Sequence, residues 1–218
     1  MKKLLSKSQA NLFMQCPLKW KYIYIDLIES LPSKAQERGI NIHKKIEEFY
    51  KNPKPDEDLK NFVKFEKKRL EGCNELKYFY PLFQELKLRD EVIGLKGIID
   101  AVYINPKDDG IIVIDWKTGK YYEDNLDDYR FELAVYAELL KHSGKVDEVK
   151  YWGIYFTDAD KLFFEEIDSE YIRRMYATMD RIREEIEKKE YKPKKNKWCF
   201  NCQFKEKCKN ETTTTTTK

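Results

Sequence analysis

The sequence lacks any apolar run near the ~20 residues that a membrane-spanning helix requires. The apolar part of its first segment, MKKLLSKSQANLF, is also too short for a secretory signal. Neither sign of charge dominates, since 42 Lys and Arg residues stand against 39 Asp and Glu residues, for a net charge of +3. These absences predict a cytoplasmic protein with no membrane partner, and the balanced charge permits a nucleic-acid partner without requiring one.

The five cysteines are unevenly spaced. Three of them, Cys199, Cys202 and Cys208, lie within WCFNCQFKEKC, and Cys16 lies near the other end of the chain. Disulfides are rare in the cytoplasm, and C-x-x-C followed by a third cysteine is typical of a metal site, which then needs a fourth ligand. Zinc and an iron–sulfur cluster satisfy four thiolates equally well. Cys73 has no role in this pattern and is predicted to be a half-buried apolar side chain.

Hydrophobic periodicity divides the chain into helices and strands. It predicts helices near 6–16, 33–50, 56–70, 126–142 and 169–189, and strands within 78–88, 91–104, 111–117, 148–156 and 161–167. The strand, helix and strand between 111 and 156 have the lengths of a right-handed crossover, which joins parallel strands. The predicted class is therefore α/β, with a mixed β-sheet core flanked by helices.

The segment IIVIDWKTGK places two charges at the end of a buried strand. Because side chains alternate across a strand, Asp115 and Lys117 share one face, while Ile114 and Trp116 share the other. The segment GLKGIID ends its apolar run in Asp100 in the same way. Two carboxylates that converge on an apolar floor repel each other unless a cation lies between them, and Mg²⁺ or Mn²⁺ fits oxygen ligands. A partly buried ion pair is the alternative for Asp115 and Lys117.

Histidine is scarce, with two in the chain. His43 lies on the helix after Ser33 and is a third candidate metal ligand, with a structural role as the alternative. His142, at the polar end of a helix, is interpreted as a surface or capping residue. Glu85, on the first predicted strand, is a candidate for the same cavity.

Four segments in one order, RGINIHKKIE, GIIDAVY, IDWKTGK and FELAVYAELL, resemble the RecB-like branch of the PD-(D/E)XK nuclease superfamily. The likeness runs from Ser8 to Cys208. The spacing of the cysteines resembles the iron–sulfur members of this branch, which include the CRISPR-associated exonucleases of the spacer-acquisition module, and viral relatives. The resemblance implies a restriction-endonuclease-like fold whose N- and C-terminal segments are joined at an iron–sulfur cluster.

The resemblance also assigns roles to individual residues. It implies catalytic roles for Asp100, Asp115 and Lys117, and a Mg²⁺ or Mn²⁺ site formed by His43, Asp100, Asp115 and the backbone carbonyl of Trp116. It implies a [4Fe–4S] cluster on Cys16, Cys199, Cys202 and Cys208. Members usually carry Gln where this chain has Glu132, so the role of Glu132 is open. Glu85, Glu132 and Tyr136 are accessory candidates.

The expected function is that of a metal-dependent DNA exonuclease that cleaves single-stranded ends from 5′ to 3′. The resemblance implies a role in CRISPR spacer acquisition, with the integrase complex as partner, or in viral DNA processing. The alternative is a noncatalytic DNA-binding or redox-sensing iron–sulfur module. Tyr121, Tyr122 and Tyr129 are candidates for stacking with unpaired bases, with core packing as their alternative.

The expected organisation is one nuclease domain over residues 1–218. Residues 1–30 and 190–209 are expected to form a cluster-binding lobe, and residues 78–166 the catalytic sheet core. The threonine-rich end, 210–218, is expected to be a disordered tail.

Overall fold

The computed structural model describes residues 2–214, with side chains as far as residue 209. The chain divides into two compact units, Met1–Leu4 with Pro32–Met175, and Leu5–Leu31 with Tyr176–Lys218. In residues 2–214, no helix has the length and hydropathy needed to cross a membrane. Of the predicted tail, residues 215–218 lie outside the described residues, and the last described helix reaches Thr214.

The predicted helices and strands occur in the predicted order. The helices are α1 (Lys7–Gln15), α2 (Pro17–Tyr24), α3 (Lys34–Lys51), α4 (Lys60–Glu71), α5 (Leu76–Phe79), α6 (Leu126–His142), α7 (Ser169–Glu187) and α8 (Lys205–Thr214). The strands are β1 (Phe83–Asp90), β2 (Leu95–Ile104), β3 (Ile111–Lys117), β4 (Tyr151–Phe156) and β5 (Lys161–Glu166). Short 3₁₀ turns occupy Glu57–Leu59, Glu123–Asn125 and Lys197–Cys199. Three of the helices, α2, α5 and α8, were not predicted.

The first unit is built on one five-stranded sheet in the order β1-β2-β3-β4-β5. Strands β3 and β4 pair in parallel, and the other neighbours are antiparallel. The parallel pair confirms the crossover predicted between 111 and 156, with α6 as its connecting helix. The prediction of an α/β fold with a mixed sheet flanked by helices is confirmed.

Helices cover both faces of this sheet. On one face, Ile42 and Ile46 of α3 and Phe62 of α4 pack in a common core with Tyr103 and Trp116 of the sheet. Helix α3 begins at an N-cap, because the Ser33 hydroxyl accepts from the Gln36 N–H while the Gln36 side chain accepts from the Ser33 N–H.

On the other face, α6 lies close to β2. A Cβ atom at Gly97 would stand 3.2 Å from side-chain carbons of both Tyr136 and Leu139, so the glycine permits this close contact.

Two predicted strand starts are wrong. Residues 76–79 form the short helix α5, and β1 begins only at Phe83. Strand β2 begins at Leu95, because Asp90 closes a turn by accepting from the N–H groups of Val92 and Ile93, and Gly94 adopts a φ of +69°. Turn chemistry at Asp90 and Gly94 therefore overrides the apolar run that predicted an earlier start.

The second unit joins segments from the two ends of the chain. Leu18 and Tyr22 of α2 pack with Phe204 in a small apolar cluster. The side-chain amide of Asn196 donates to the Gln15 carbonyl at 2.9 Å, and that of Gln203 donates to the Glu29 carbonyl at 3.1 Å. The sequence segments expected to form a cluster-binding lobe, from residue 5 onward, belong to this unit.

Candidate active site

The end of β3 carries the charged pair that the sequence singled out. The ammonium of Lys117 lies 2.6 Å from a carboxylate oxygen of Asp115 and 2.9 Å from one of Glu132, on α6. Trp116, on the opposite face, packs edge-on against Phe62. Burial alone would lower the pKa of Lys117, but the two carboxylates outweigh burial and hold the pKa above its ordinary value. Lys117 is therefore a cation at neutral pH.

Asp100 meets the same strand end from β2. Ala101 pairs with Ile114, one step before the position where Asp100 lies across from Asp115. At this position a side chain, and not the backbone, links β2 to β3: Oδ2 of Asp100 accepts from the Trp116 N–H at 2.8 Å. This hydrogen bond fixes the carboxylate, whose other oxygen lies 3.4 Å from Nδ1 of His43.

His43 reaches the site from α3. Its Nε2–H donates to the Trp116 carbonyl at 2.9 Å, which orients the ring. Nδ1 faces two carboxylates, Asp100 at 3.4 Å and Glu85 at 3.7 Å. Burial would lower the pKa of His43, but the hydrogen bonds to Asp100 and Glu85 outweigh it and raise the pKa to about 10. In the metal-free site, the proton on Nδ1 therefore supplies the positive charge between the carboxylates of Asp100 and Glu85.

Glu85 adopts an unusual backbone conformation. Its φ is +45°, although Gln84 and Leu86 on either side of it pair regularly with β2. A non-glycine residue in the left-handed region costs about 1–2 kcal/mol, and such strain concentrates at functional sites. This strained residue brings its carboxylate to His43.

The predicted site residues lie together, with one difference in grouping. One ligand atom each from His43, Glu85 and Asp100 lies within 4.8 Å of the others, which is compact enough to hold one ion. Glu85, predicted as an accessory residue, belongs to this group. The carboxylate of Asp115 pairs with Lys117 instead. The Trp116 carbonyl, predicted as a ligand, accepts the His43 hydrogen bond.

The donor set fits a hard divalent cation. Four carboxylates, from Glu85, Asp100, Asp115 and Glu132, surround one ammonium and one imidazole. Asp115 and Glu132 are only 2% and 3% exposed, so solvent screens their charges poorly. Oxygen donors with one imidazole suit Mg²⁺ or Mn²⁺. The excess of negative charge is the feature that a divalent ion would offset.

Two charged side chains outside the metal-ligand group, which the sequence did not indicate, hold the loop after β3. Arg38 of α3 forms a bidentate pair with Asp158, with both distances at 2.7 Å. Asp158 also accepts from the Gly119 N–H at 2.7 Å. The pair thus ties the helix that carries His43 to the turn that follows Lys117. Arg38 and Asp158 are 120 residues apart, so no local pattern could have linked them.

The candidate stacking residues differ in exposure. Tyr121 and Tyr129 are half-buried, and each ring packs against Phe156. Tyr122 is 55% exposed.

The four cysteines predicted to bind the cluster, Cys16, Cys199, Cys202 and Cys208, line one cavity of about 690 Å³ in the second unit. Tetrahedral zinc, with Zn–S bonds of ~2.3 Å, needs sulfur atoms about 3.8 Å apart. Among the described residues, no three cysteine sulfurs lie within 4.8 Å of one another. As they stand, the thiols are too far apart for three of them to bind one tetrahedral zinc ion. Cys73 is half-buried and is not among the residues that line the cavity.

Comparison with known proteins identifies the family of the chain. The family model of the PD-(D/E)XK nuclease superfamily matches residues 4–76 and 62–209. The chain belongs to the PD-(D/E)XK nuclease superfamily, and it is a nuclease by that membership.

A predicted exonuclease from Eubacterium rectale shares the fold, with a TM-score of 0.55 and 15% identity over 95% of this chain and 88% of its own. A second solved structure, SSO0001, aligns over 94% of this chain and 85% of its own, with 18% identity and a TM-score of 0.47. No curated protein is significantly similar in sequence to this chain.

Proposed function

We propose that this nuclease is a divalent-metal-dependent DNA exonuclease that degrades single-stranded ends from 5′ to 3′. The observation that carries the proposal is the group formed by His43, Glu85 and Asp100 beside the pair of Asp115 and Lys117. Membership of the superfamily supports phosphodiester hydrolysis. The resemblance to the RecB-like branch supports the strand preference and direction, and the likeness to the predicted exonuclease from Eubacterium rectale supports cleavage from an end.

The metal site of this proposal comprises Nδ1 of His43 and the carboxylates of Glu85, Asp100 and Asp115. The Trp116 carbonyl, the further ligand that the resemblance implies, would have to leave its hydrogen bond to Nε2 of His43 to join them. A bound Mg²⁺ or Mn²⁺ would polarise the scissile phosphate and lower the pKa of a water molecule. Asp100 has a second task, because its hydrogen bond to the Trp116 N–H holds the ends of β2 and β3 together.

Lys117 acts as a hydrogen-bond donor in this proposal. Its raised pKa keeps the ammonium charged, so it orients the attacking water and offsets charge on the phosphate rather than removing a proton. Glu132 holds the ammonium from α6, and the Tyr136 hydroxyl steadies Glu132 with a hydrogen bond of 3.2 Å. The glutamate in place of the family's usual Gln thus strengthens the hold on Lys117.

The test uses single-stranded oligonucleotides labelled at either end, with Mn²⁺. The wild type is expected to release the 5′ label first, in short products. Lys117→Ala and Asp115→Ala are expected to lose at least a hundredfold in rate, since each removes a group that acts on the reacting phosphate. Lys87→Ala, an exposed lysine of β1, is the matched control and should cleave normally. Full cleavage by both site variants would contradict the assignment.

We also propose that Cys16, Cys199, Cys202 and Cys208 bind a [4Fe–4S] cluster that joins the N- and C-terminal segments, 1–30 and 190–209, in one lobe of a single nuclease domain. The shared cavity supports this proposal. A cross-link that closes 182 intervening residues is worth about 5 kcal/mol in the chain-entropy model.

The proposed context is the cytoplasm, where the thiols stay reduced. The resemblance to CRISPR-associated exonucleases supports a role in spacer acquisition with the integrase complex, and viral DNA processing is the second context. Co-purification with the integrase complex from the host would favour the first. A noncatalytic iron–sulfur module would bind DNA yet show no metal-dependent cleavage.

A further inference from the structure

The positive charge of the chain is concentrated in one short segment. Residues 191–209 hold seven lysines and one acidic residue, a net charge of +6. Because the whole chain carries +3, the remaining residues together are net negative, at −3. All seven lysines are exposed in the second unit. Such a local excess of one sign attracts polyanions even when the chain as a whole is nearly neutral.

Two large aromatic rings are exposed among these lysines. Trp198 is 58% and Phe200 is 79% exposed. The Lys197 ammonium lies 5.1 Å from the centre of the Trp198 ring, and that of Lys205 lies 5.6 Å from the centre of the Phe200 ring. Each ring thus has a cation beside it and a large part of its surface in solvent.

The backbone under these rings is held in place. The Asn196 side chain accepts from the Trp198 N–H at 2.9 Å, and its amide donates to the Gln15 carbonyl. Residues 197–199 form a 3₁₀ turn on this cap. The exposed rings are therefore presented by a fixed turn and not by a loose end of the chain.

We propose that this lysine–aromatic surface binds single-stranded nucleic acid. The surface is defined by the rings of Trp198 and Phe200 and by five lysines: Lys192, Lys194, Lys195, Lys197 and Lys205. Unpaired bases stack on the rings, and phosphates lie against the ammonium groups. A duplex offers no free base faces, and an apolar protein partner would leave the lysines without counter-charges, so a single strand matches both features. The choice of DNA as that strand rests on the proposed function.

The first experiment uses the tryptophans. Trp20, Trp116 and Trp152 are at most 2% exposed, so the fluorescence change on adding oligo(dT) without divalent metal reports mainly on Trp198. We expect quenching in the wild type. Affinity, measured by anisotropy of labelled oligo(dT), should fall about tenfold in Trp198→Ala and again in Phe200→Ala. Trp198→Phe should keep most of the affinity but lose the quenching, because it retains a stacking ring.

The second experiment tests the charges. The test variant changes three exposed lysines to glutamine: Lys192, Lys195 and Lys197. Its control makes the same change at three exposed lysines of α4: Lys60, Lys67 and Lys68. Both variants lose three positive charges. Only the first should reduce the slope of log affinity against log salt, by about 2, since each phosphate contact on a single strand contributes about 0.7.

The proposal is overturned if both ring variants bind oligo(dT) like the wild type, if the two lysine variants have equal salt slopes, or if duplex binding depends on the rings to the same degree. These measurements need no cleavage, which separates them from the proposed activity. Ring-dependent binding by a protein that cuts nothing would refute the nuclease proposal alone. Cleavage by the wild type, together with unchanged binding in the ring variants, would refute the surface alone.

Discussion

His43→Gln tests whether the histidine is a metal ligand whose proton the metal must displace. In the metal-free protein, the pKa of His43 is raised to about 10, because Asp100 and Glu85 face its Nδ1. A metal ion can bind Nδ1 only after that proton leaves. Below pH 10, the apparent affinity for Mn²⁺ should therefore rise about tenfold for each pH unit.

The expected magnitude is large enough to measure directly. At pH 8, two units below the pKa, displacement of the proton costs about 2.7 kcal/mol of binding free energy. Between pH 6.5 and 8.5, the wild-type affinity should rise about a hundredfold. His43→Gln has no such proton, so it should bind Mn²⁺ weakly and with little pH dependence. His142→Gln, the only other histidine, is the matched control and should keep the wild-type slope.

The same proton affects the stability of the metal-free fold. Since the folded pKa lies above the ordinary value of 6.5, the stabilisation by His43 is fully present below pH 6.5 and is lost as pH rises through about 10. The free energy of unfolding of the wild type, relative to His43→Gln, should thus fall by at most about 5 kcal/mol over this range. A wild-type Mn²⁺ affinity that is flat with pH, or an equal slope in His43→Gln, would refute the reasoning.

Three further changes probe the surroundings of the site. Asp158→Asn is expected to lower Mn²⁺ affinity and cleavage together while costing only ~1 kcal/mol of stability, because the pair that it weakens is partly exposed; unchanged Mn²⁺ affinity would argue against a positioning role. Glu132→Gln should keep cleavage, because Lys117 retains Asp115 as its partner, so a loss as large as in Lys117→Ala, measured under the same conditions, would contradict the assigned role. Cys16→Ser should abolish iron absorbance and lower the melting temperature, whereas Cys73→Ser should do neither; stoichiometric zinc without iron in anaerobically prepared protein would contradict the cluster.

The strand residues of the site could be predicted from the sequence because strand geometry is nearly invariant. A period of two places Asp115 and Lys117 on one face, and the contacts of Lys117 with α6 and of Trp116 with α4 bear this out. The position of Asp100 follows from the same rule once β2 and β3 are neighbours. The turn at Asp90 to Gly94, by contrast, was not predicted, because an apolar run does not indicate where a side chain will accept hydrogen bonds from the backbone.

Contacts between residues far apart in the sequence could not be predicted, for a different reason. Glu85 lies beside His43 because of the register in which β1 pairs with β2 and because its own φ is positive. The local sequence pattern predicts neither of these. The pairing of Arg38 with Asp158 depends on how α3 lies over the end of the sheet. The exposure of Trp198 could not be predicted from its residue type, because tryptophan side chains are usually buried and the other three in this chain are buried.

The charges of the site indicate an order of binding. Four carboxylates, one ammonium and a protonated His43 leave the metal-free site with a net charge of −2. If a divalent ion replaces the proton, the net charge becomes −1, so a phosphate meets less repulsion after the ion has bound than before. Lys117, which is paired with Asp115 and Glu132 in the metal-free site, adds one positive charge in either state. A divalent ion would therefore exchange with the proton held by His43, Asp100 and Glu85, and DNA should bind the reaction centre productively only after that ion.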